Sequence, residues 1–192
     1  MNRLLIVGPP GSGKGTQAER IAEHYNIVAI STGDIFRQNI KDETPLGLTA
    51  KKYTDAGNYV PDEVTNNMVR DRLSQADVKD GFLLDGYPRT LAQVKELDSI
   101  LDENNQKLNG VIELTVDEDE LVTRLLKRAQ ESARSDDTED VIRHRQEVYR
   151  EQTAPLIAVY EKRGIVKTVD GVGDLDTISE SIFAAIDELQ NN

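Results

Sequence analysis

The densest chemistry in the chain lies close to its start. Gly8-Pro9-Pro10-Gly11-Ser12-Gly13-Lys14-Gly15-Thr16 gathers glycines, a lysine and two hydroxyls into nine residues. It follows the apolar run Leu4–Val7 and opens a stretch of helical patterning, Gly13–Tyr25. Strand, glycine-rich loop and helix, in that order, form the setting in which a phosphate is cradled. Lacking Cβ atoms, glycines let backbone N–H groups turn inward around phosphate oxygens. The opening turn of the helix adds unsatisfied donors and a partial positive charge. Lys14 brings a full charge to the β- and γ-phosphates. A plain strand-to-helix turn with a surface lysine is the bland alternative, and the coincidence of spacing, context and lysine argues against it.

A second group of residues suits the same chemistry. Asp85 ends the run Gly81-Phe82-Leu83-Leu84, where open α/β sheets place their ligands. A carboxylate beside a phosphate loop suits Mg²⁺ held largely through water. Taken alone, Asp85-Gly86 also reads as an ordinary strand-end turn. Arg37, Arg89, Arg124, Arg128, Arg134, Arg143 and Arg145 lie at or near segment ends or in polar insertions. The planar guanidinium bonds phosphate oxygens in pairs and stays charged. Each arginine alone reads as a solvated surface charge; the set meets a need, because one lysine does not neutralise two nucleotides. Asp136 and Asp137 beside Arg134 are either surface ion pairs, worth little, or partners that orient arginines in a closing lid. His24 and His144 stand in no carboxylate or serine constellation, and there is no serine nucleophile elbow. Transfer between bound nucleotides needs positioning and charge neutralisation rather than a covalent intermediate.

The elements that must hold these groups follow from the rhythm of the chain. Short apolar runs at Leu4–Val7, Ile27–Ile30, Phe82–Leu84, Val111–Val116 and Ile165–Val169 alternate with helical stretches. The helical stretches include Gly13–Tyr25, Thr90–Asn104, one beginning near Asp117, which can cap it, and Asp176–Leu189. The alternation predicts parallel strands joined by crossover helices. Runs without polar alternation predict a sheet covered on both faces. Residues 31–60 and the polar stretch 129–140 break the rhythm and read as insertions on the sheet body. Such composition suits functional loops and lids, and plain linkers equally.

Bulk properties set the limits. At 192 residues the chain suits one domain of ordinary size with small inserted lobes. The formal net charge of −12 argues against a nucleic-acid binder, which presents a basic face, but not against a local positive cleft. With no cysteine, disulfides and thiolate metal sites are excluded. No apolar run approaches a membrane span, and Leu4–Val7 is far too short for a signal-peptide core. These readings give a cytoplasmic location as the expectation.

At this point the residues resemble a known family along essentially the whole chain. Gly8–Thr16, Ser31-Thr32-Gly33-Asp34-Ile35-Phe36-Arg37, Asp85-Gly86-Tyr87-Pro88-Arg89-Thr90, Arg134-Ser135-Asp136-Asp137 and Thr153-Ala154-Pro155-Leu156 are similar, in that order, to adenylate kinase. The Lys14-Gly15-Thr16 order is the form familiar from nucleoside monophosphate kinases. The resemblance implies an α/β fold of the P-loop NTPase type, a parallel sheet flanked by helices. It implies a core of residues 1–30, 61–126 and 138–192, an AMP-binding lobe at 31–60, and a short lid at 127–137. The implied reaction is MgATP + AMP ⇌ 2 ADP; since nothing in the sequence suggests an interface, a monomer is the default expectation.

The same resemblance distributes roles. ATP phosphates fall on Gly11, Ser12, Gly13, Lys14, Gly15 and Thr16, with Arg124 and Arg128 on the ATP side and Gly173 offering backbone to its adenine. AMP falls near Thr32, Arg37, the backbone at Asn58, Tyr59 and Val60, the turn Gly86, Tyr87, Pro88 and Arg89, and Gln93. Lys14, Arg89, Arg128, Arg134 and Arg145 form the catalytic set, Arg134 and Arg145 clamping phosphates between donor and acceptor. Asp85 would serve Mg²⁺, and no zinc is expected, since this chain has neither the long lid nor the cysteines of zinc-bearing members. Short-lid relatives often carry glycine just before the arginine matching Arg134, where this chain has Ala133.

A kinase for UMP and CMP is the nearest rival; Thr32 and Gln93 are the adenine-type choices against it. The Gln93 amide can both donate to and accept from an adenine edge. A non-catalytic nucleotide sensor or GTPase-like switch is disfavoured by the paired arginines and by the absence of an Asn-Lys-x-Asp motif.

Overall fold

The structure, a computed structural model, describes residues 1–132 and 138–191. Five strands form one sheet: β1 (Asn2–Val7), β2 (Val28–Ser31), β3 (Gly81–Asp85), β4 (Gly110–Thr115) and β5 (Val166–Asp170). They lie side by side in the order β2-β3-β1-β4-β5, and every pairing is parallel. Each expected apolar run is a strand, with ends displaced by a residue or so. The fold is the α/β, P-loop type of parallel sheet flanked by helices that the sequence led us to expect.

Why the strands read as continuous apolar runs is visible in β1. Its side chains alternate between faces, and both faces are covered. Leu5 and Val7 join a cluster with Leu84, Val94, Leu97, Ile100 and Tyr160. Leu4 and Ile6 join another with Ala18, Ile21, Ile112, Ile182 and Ile186. The first face is covered by α4 (Asp62–Leu73), α5 (Leu91–Glu103) and α8 (Ala154–Glu161). The second is covered by α1 (Lys14–Tyr25) and α9 (Leu175–Gln190).

The span 31–60 holds two helices, α2 (Thr32–Lys41) and α3 (Pro45–Thr54), and no strand beyond Ser31. Ser31 and Thr44 cap them, accepting from the backbone N–H groups of Asp34 (3.2 Å) and Gly47 (3.0 Å). A third cluster of Phe36, Ala50 and Val60, with Ile40, Leu46, Tyr53 and Met68 against it, fills this region. The two helices touch backbone to backbone at Gly47, where a Cβ would lie 2.0 Å from the Asn39 carbonyl oxygen.

The polar stretch 129–140 is described only at its two ends. The helix α6 (Glu118–Glu131) takes in the first three residues of the stretch, and α7 (Glu139–Val148) takes in the last two, beginning where acidic residues favour a helix N-terminus. Residues 133–137, the C-terminal part of the expected lid, lie outside the described residues. Asp117 stands at the N-cap of α6, yet its side chain makes no capping bond. Glu118, Asp119 and Glu120 supply the negative charge of that first turn instead.

Candidate active site

The phosphate loop joins β1 to α1. Gly13 forms the N-cap of α1 at φ 90°, a left-handed conformation that glycine alone adopts without cost. Just above Gly13, the Ser12 N–H bonds the Pro9 carbonyl at 3.1 Å, closing the loop on itself. The register pairs Ile6 with Asp85, so the loop and the end of β3 emerge side by side at the same edge. This is the crevice at the carboxyl ends of parallel strands where such sheets bind ligands.

Lys14 and Asp85 meet there. Lys14 Nζ lies 3.6 Å from Asp85 Oδ1, too far for a good hydrogen bond. Asp85 Oδ1 is buried without a hydrogen-bond partner. Burial pushes the Lys14 ammonium below the ordinary lysine range. The Asp85 carboxylate draws it back up, and Arg89, Arg145 and Arg128 each push it down again. Three arginines thus act on the Lys14 ammonium alongside the Asp85 carboxylate. A cluster of cations of this kind suits the oxygens of a polyphosphate.

Next to this point opens a cleft of about 300 Å³. Lys14, Arg89, Arg145, Thr32, Arg37 and Gln93 all stand on its wall. Asn58, Tyr59 and Val60 close one side, and Gly86, Tyr87 and Pro88 another. The expected acceptor residues within the described chain are thus brought together on one cavity. Arg37 is held by the Asp34 carboxylate three residues earlier on α2. The Thr32 hydroxyl donates to the Gly86 carbonyl at 3.0 Å, tying α2 to the turn after β3.

The expected donor residues lie elsewhere. Gly11, Gly15, Thr16, Arg124, Arg128 and Gly173 do not line this cleft. Arg124 donates to the Gly171 carbonyl at 3.1 Å, and its Nη1 reaches the Gly11 carbonyl at 3.5 Å. It therefore joins α6, the phosphate loop and the turn after β5, and Gly173 sits in that turn in open space. Arg134 lies outside the described residues.

Asp85 is the residue that suits a divalent ion. Its orphaned oxygen is buried beside the phosphate loop, and a hard oxygen donor fits Mg²⁺. Among the described residues no three His, Asp or Glu side chains gather into a metal cluster. An ion here would complete its shell with phosphate oxygens and water.

The comparisons with known proteins bear directly on this site. A profile of the family described as adenylate kinase matches residues 6–165. The chain belongs to the adenylate kinase family. It is similar to the adenylate kinase of Kocuria rhizophila, with 66% identity over 97% of this chain and all of that protein. It is similar also to those of Renibacterium salmoninarum, 64% identical over 97% of each chain, and Pseudarthrobacter chlorophenolicus, 62% over 99% of each. As a family member it is a phosphotransferase acting on a nucleoside monophosphate, and the adenylate kinase reading stands over the UMP/CMP alternative.

Several contacts of the site were not foreseen from sequence. Tyr59 was expected to contribute backbone, but its ring lies under the Arg89 guanidinium, 5.1 Å from centroid to Cζ. Its hydroxyl meets Thr153 Oγ1 at 2.6 Å, and Thr153 donates to the Arg89 carbonyl at 2.9 Å. Since Thr153 has one proton and spends it on Arg89, Tyr59 is the donor to Thr153. Gln146, buried on α7, donates to the Pro10 carbonyl of the phosphate loop at 2.8 Å. His144 Nε2 lies 2.6 Å from Asn58 Oδ1, linking α7 to the edge of the cleft. The only signal in the sequence was the Thr153-Ala154-Pro155-Leu156 stretch, which marks the element without assigning a task to Thr153.

Proposed function

We propose that the chain catalyses MgATP + AMP ⇌ 2 ADP, with ATP phosphates on Gly11–Thr16 and AMP in the cleft between α2 and the turn after β3. The observation that carries this reading is that Lys14, Arg89 and Arg145 line one cleft beside the phosphate loop, with Arg128 near enough to act on the same ammonium. A phosphate oxygen of AMP attacks the γ-phosphorus of ATP, and the bond to the β,γ-bridging oxygen breaks. Charge gathers on the transferring group and on the leaving ADP. Lys14 meets the β/γ oxygens, Arg37 and Arg89 hold the AMP phosphate, and Arg128, Arg134 and Arg145 neutralise the group in transit. Asp85 would help hold, through water, the Mg²⁺ carried in with ATP, and that ion would supply positive charge to the phosphates. Arg124 and the Gly173 turn would lie on the ATP side.

In this reading residues 31–60 form the AMP lobe and 127–137 a lid that excludes water, which would otherwise hydrolyse ATP. The enzyme acts as a cytoplasmic monomer on ATP, AMP and ADP, since one chain supplies every assigned group. A coupled assay across AMP, UMP, CMP and GMP tests the proposal. AMP should exceed the others in kcat/KM by about 10² or more, because a wrong base leaves buried polar groups unpaired. Comparable values for UMP or CMP would overturn the acceptor assignment.

A further inference from the structure

The base-reading side chain assigned above is itself held by two neighbours of opposite character. Gln93 is 2% exposed. Its carbonyl oxygen accepts from the Arg89 backbone N–H at 2.7 Å. Its amide nitrogen donates to Asp62 Oδ1 at 2.9 Å, and the Thr90 hydroxyl donates to the same oxygen at 2.8 Å. Thr90 caps α5, the helix that bears Gln93, and Asp62 begins α4 directly after the cleft wall at Tyr59 and Val60.

The two ends of a glutamine amide have nearly the same shape, so packing does not distinguish one orientation from its reverse. Chemistry does. A backbone N–H only donates and an ionised carboxylate only accepts. Arg89 N–H therefore selects the oxygen end and Asp62 selects the nitrogen end. One amide hydrogen and one carbonyl lone pair remain for a base. In this sense of the amide they match an edge that pairs an exocyclic N–H donor with a ring-nitrogen acceptor, as adenine has at its 6-amino side. A 6-oxo purine carries the reverse order, an exocyclic acceptor and a ring N–H. It would be matched by the amide turned through half a revolution.

From this we infer that Asp62 is a specificity-determining positioning residue, which locks the sense of the Gln93 amide and thereby favours a 6-amino over a 6-oxo purine monophosphate. The inference rests on the proposed seating of AMP against Gln93. Losing the carboxylate frees the amide to turn, and the Arg89 N–H alone then opposes the reversed state. Asn at position 62 keeps an oxygen acceptor for the amide nitrogen, whereas Leu and Ala keep none.

The test is kcat/KM for AMP and for IMP in wild type, Asp62→Leu, Asp62→Ala, Asp62→Asn and Gln93→Ala, each with its melting temperature. We expect Asp62→Leu and Asp62→Ala to reduce the AMP/IMP ratio by about tenfold or more, since a mispaired polar edge is discriminated strongly. The loss should fall mainly on KM for AMP, while Asp62→Asn keeps the ratio within about threefold of wild type because it retains the acceptor. A purely structural role would lower activity on both nucleotides alike and leave the ratio unchanged. Should Leu fail to fold, Ala decides. If Gln93→Ala collapses the ratio and the Asp62 variants preserve it, the positioning role is wrong and the seating of AMP stands. If Gln93→Ala also preserves the ratio, the seating of AMP against Gln93 is itself wrong, and the inference falls with it.

Discussion

The Arg89 guanidinium lies over the Tyr59 ring, 5.1 Å from its centroid, while the Tyr59 hydroxyl reaches back through Thr153 to the Arg89 carbonyl. One tyrosine thus holds both ends of the arginine, its charge by the ring face and its backbone by a hydroxyl relay. Removing the hydroxyl and removing the ring are separable. Tyr59→Phe should leave KM for AMP within about threefold, because one partly buried hydrogen bond contributes about 1 kcal/mol. Tyr59→Leu should raise that KM further, by about tenfold over wild type, as the cation–π contact is lost too. Steady-state kinetics on both variants, with thermal melts as a control, check the order.

Lys14→Met should reduce kcat by about 10²–10³, the usual loss for one preorganised electrostatic contact. Its effect on stability should have the opposite sign. Burial and the three arginines hold the folded-state lysine below its ordinary 10.5. Between the lowered folded value and 10.5 the unfolded chain binds more protons, so this group's contribution to stability rises with pH across that window. Below the window the charged lysine disfavours the fold. The ligand-free Met variant should therefore melt at or above wild type near neutral pH, and its advantage should shrink as the pH climbs toward 10.5. A melting series over pH on both proteins checks it.

Chelation should abolish turnover without unfolding the protein. A hard ion met by one carboxylate contributes little to folding in the absence of nucleotide. We expect EDTA to shift the melting temperature by less than about 1 °C while eliminating ADP formation. Asp85→Asn should raise the Mg²⁺ concentration needed for half-maximal activity, measured at fixed ATP and AMP.

Gly86 leaves no room for a side chain. A Cβ there would lie 2.7 Å from Thr32 Oγ1 and 2.9 Å from Arg89 Nη2, at a φ of +85°. Gly86→Ala should destabilise the protein by about 1 kcal/mol or more from backbone strain alone. It should also displace the Arg89 guanidinium, so KM for AMP rises while KM for ATP holds. A calorimetric melt and initial-rate kinetics with each substrate varied separate the two effects.

The parts of this molecule that a reader of the sequence can recover are those written locally. Leu4–Val7 announces itself because both faces of β1 are covered, so no polar residue interrupts the run. The phosphate loop is written in nine consecutive residues, and the cap at Thr90 in four. What escaped is what depends on distant partners. Gln146 reaches Pro10 across 136 positions, and nothing around either residue signals the other. Tyr59 sits among Gly57, Asn58 and Pro61, where an aromatic ring has no period to betray it. Asp62 looks like any acidic residue in the first turn of a helix, and its bond to Gln93 exists only because α4 and α5 pack together.

Phe36, Ala50 and Val60 form an apolar cluster of their own, and Met68 packs both against it and against the core beneath the sheet. Cohesion inside the α2–α3 unit is therefore supplied largely from within, down to the close approach at Gly47. A unit so constituted can drift in sequence, and even be exchanged, while the sheet that carries Lys14 and Asp85 keeps its register. The cleft wall that Thr32 and Arg37 contribute can then be revised without rebuilding the transfer machinery, whereas the base-reading pair Gln93 and Asp62 stays tied to α5 and α4 on the sheet body.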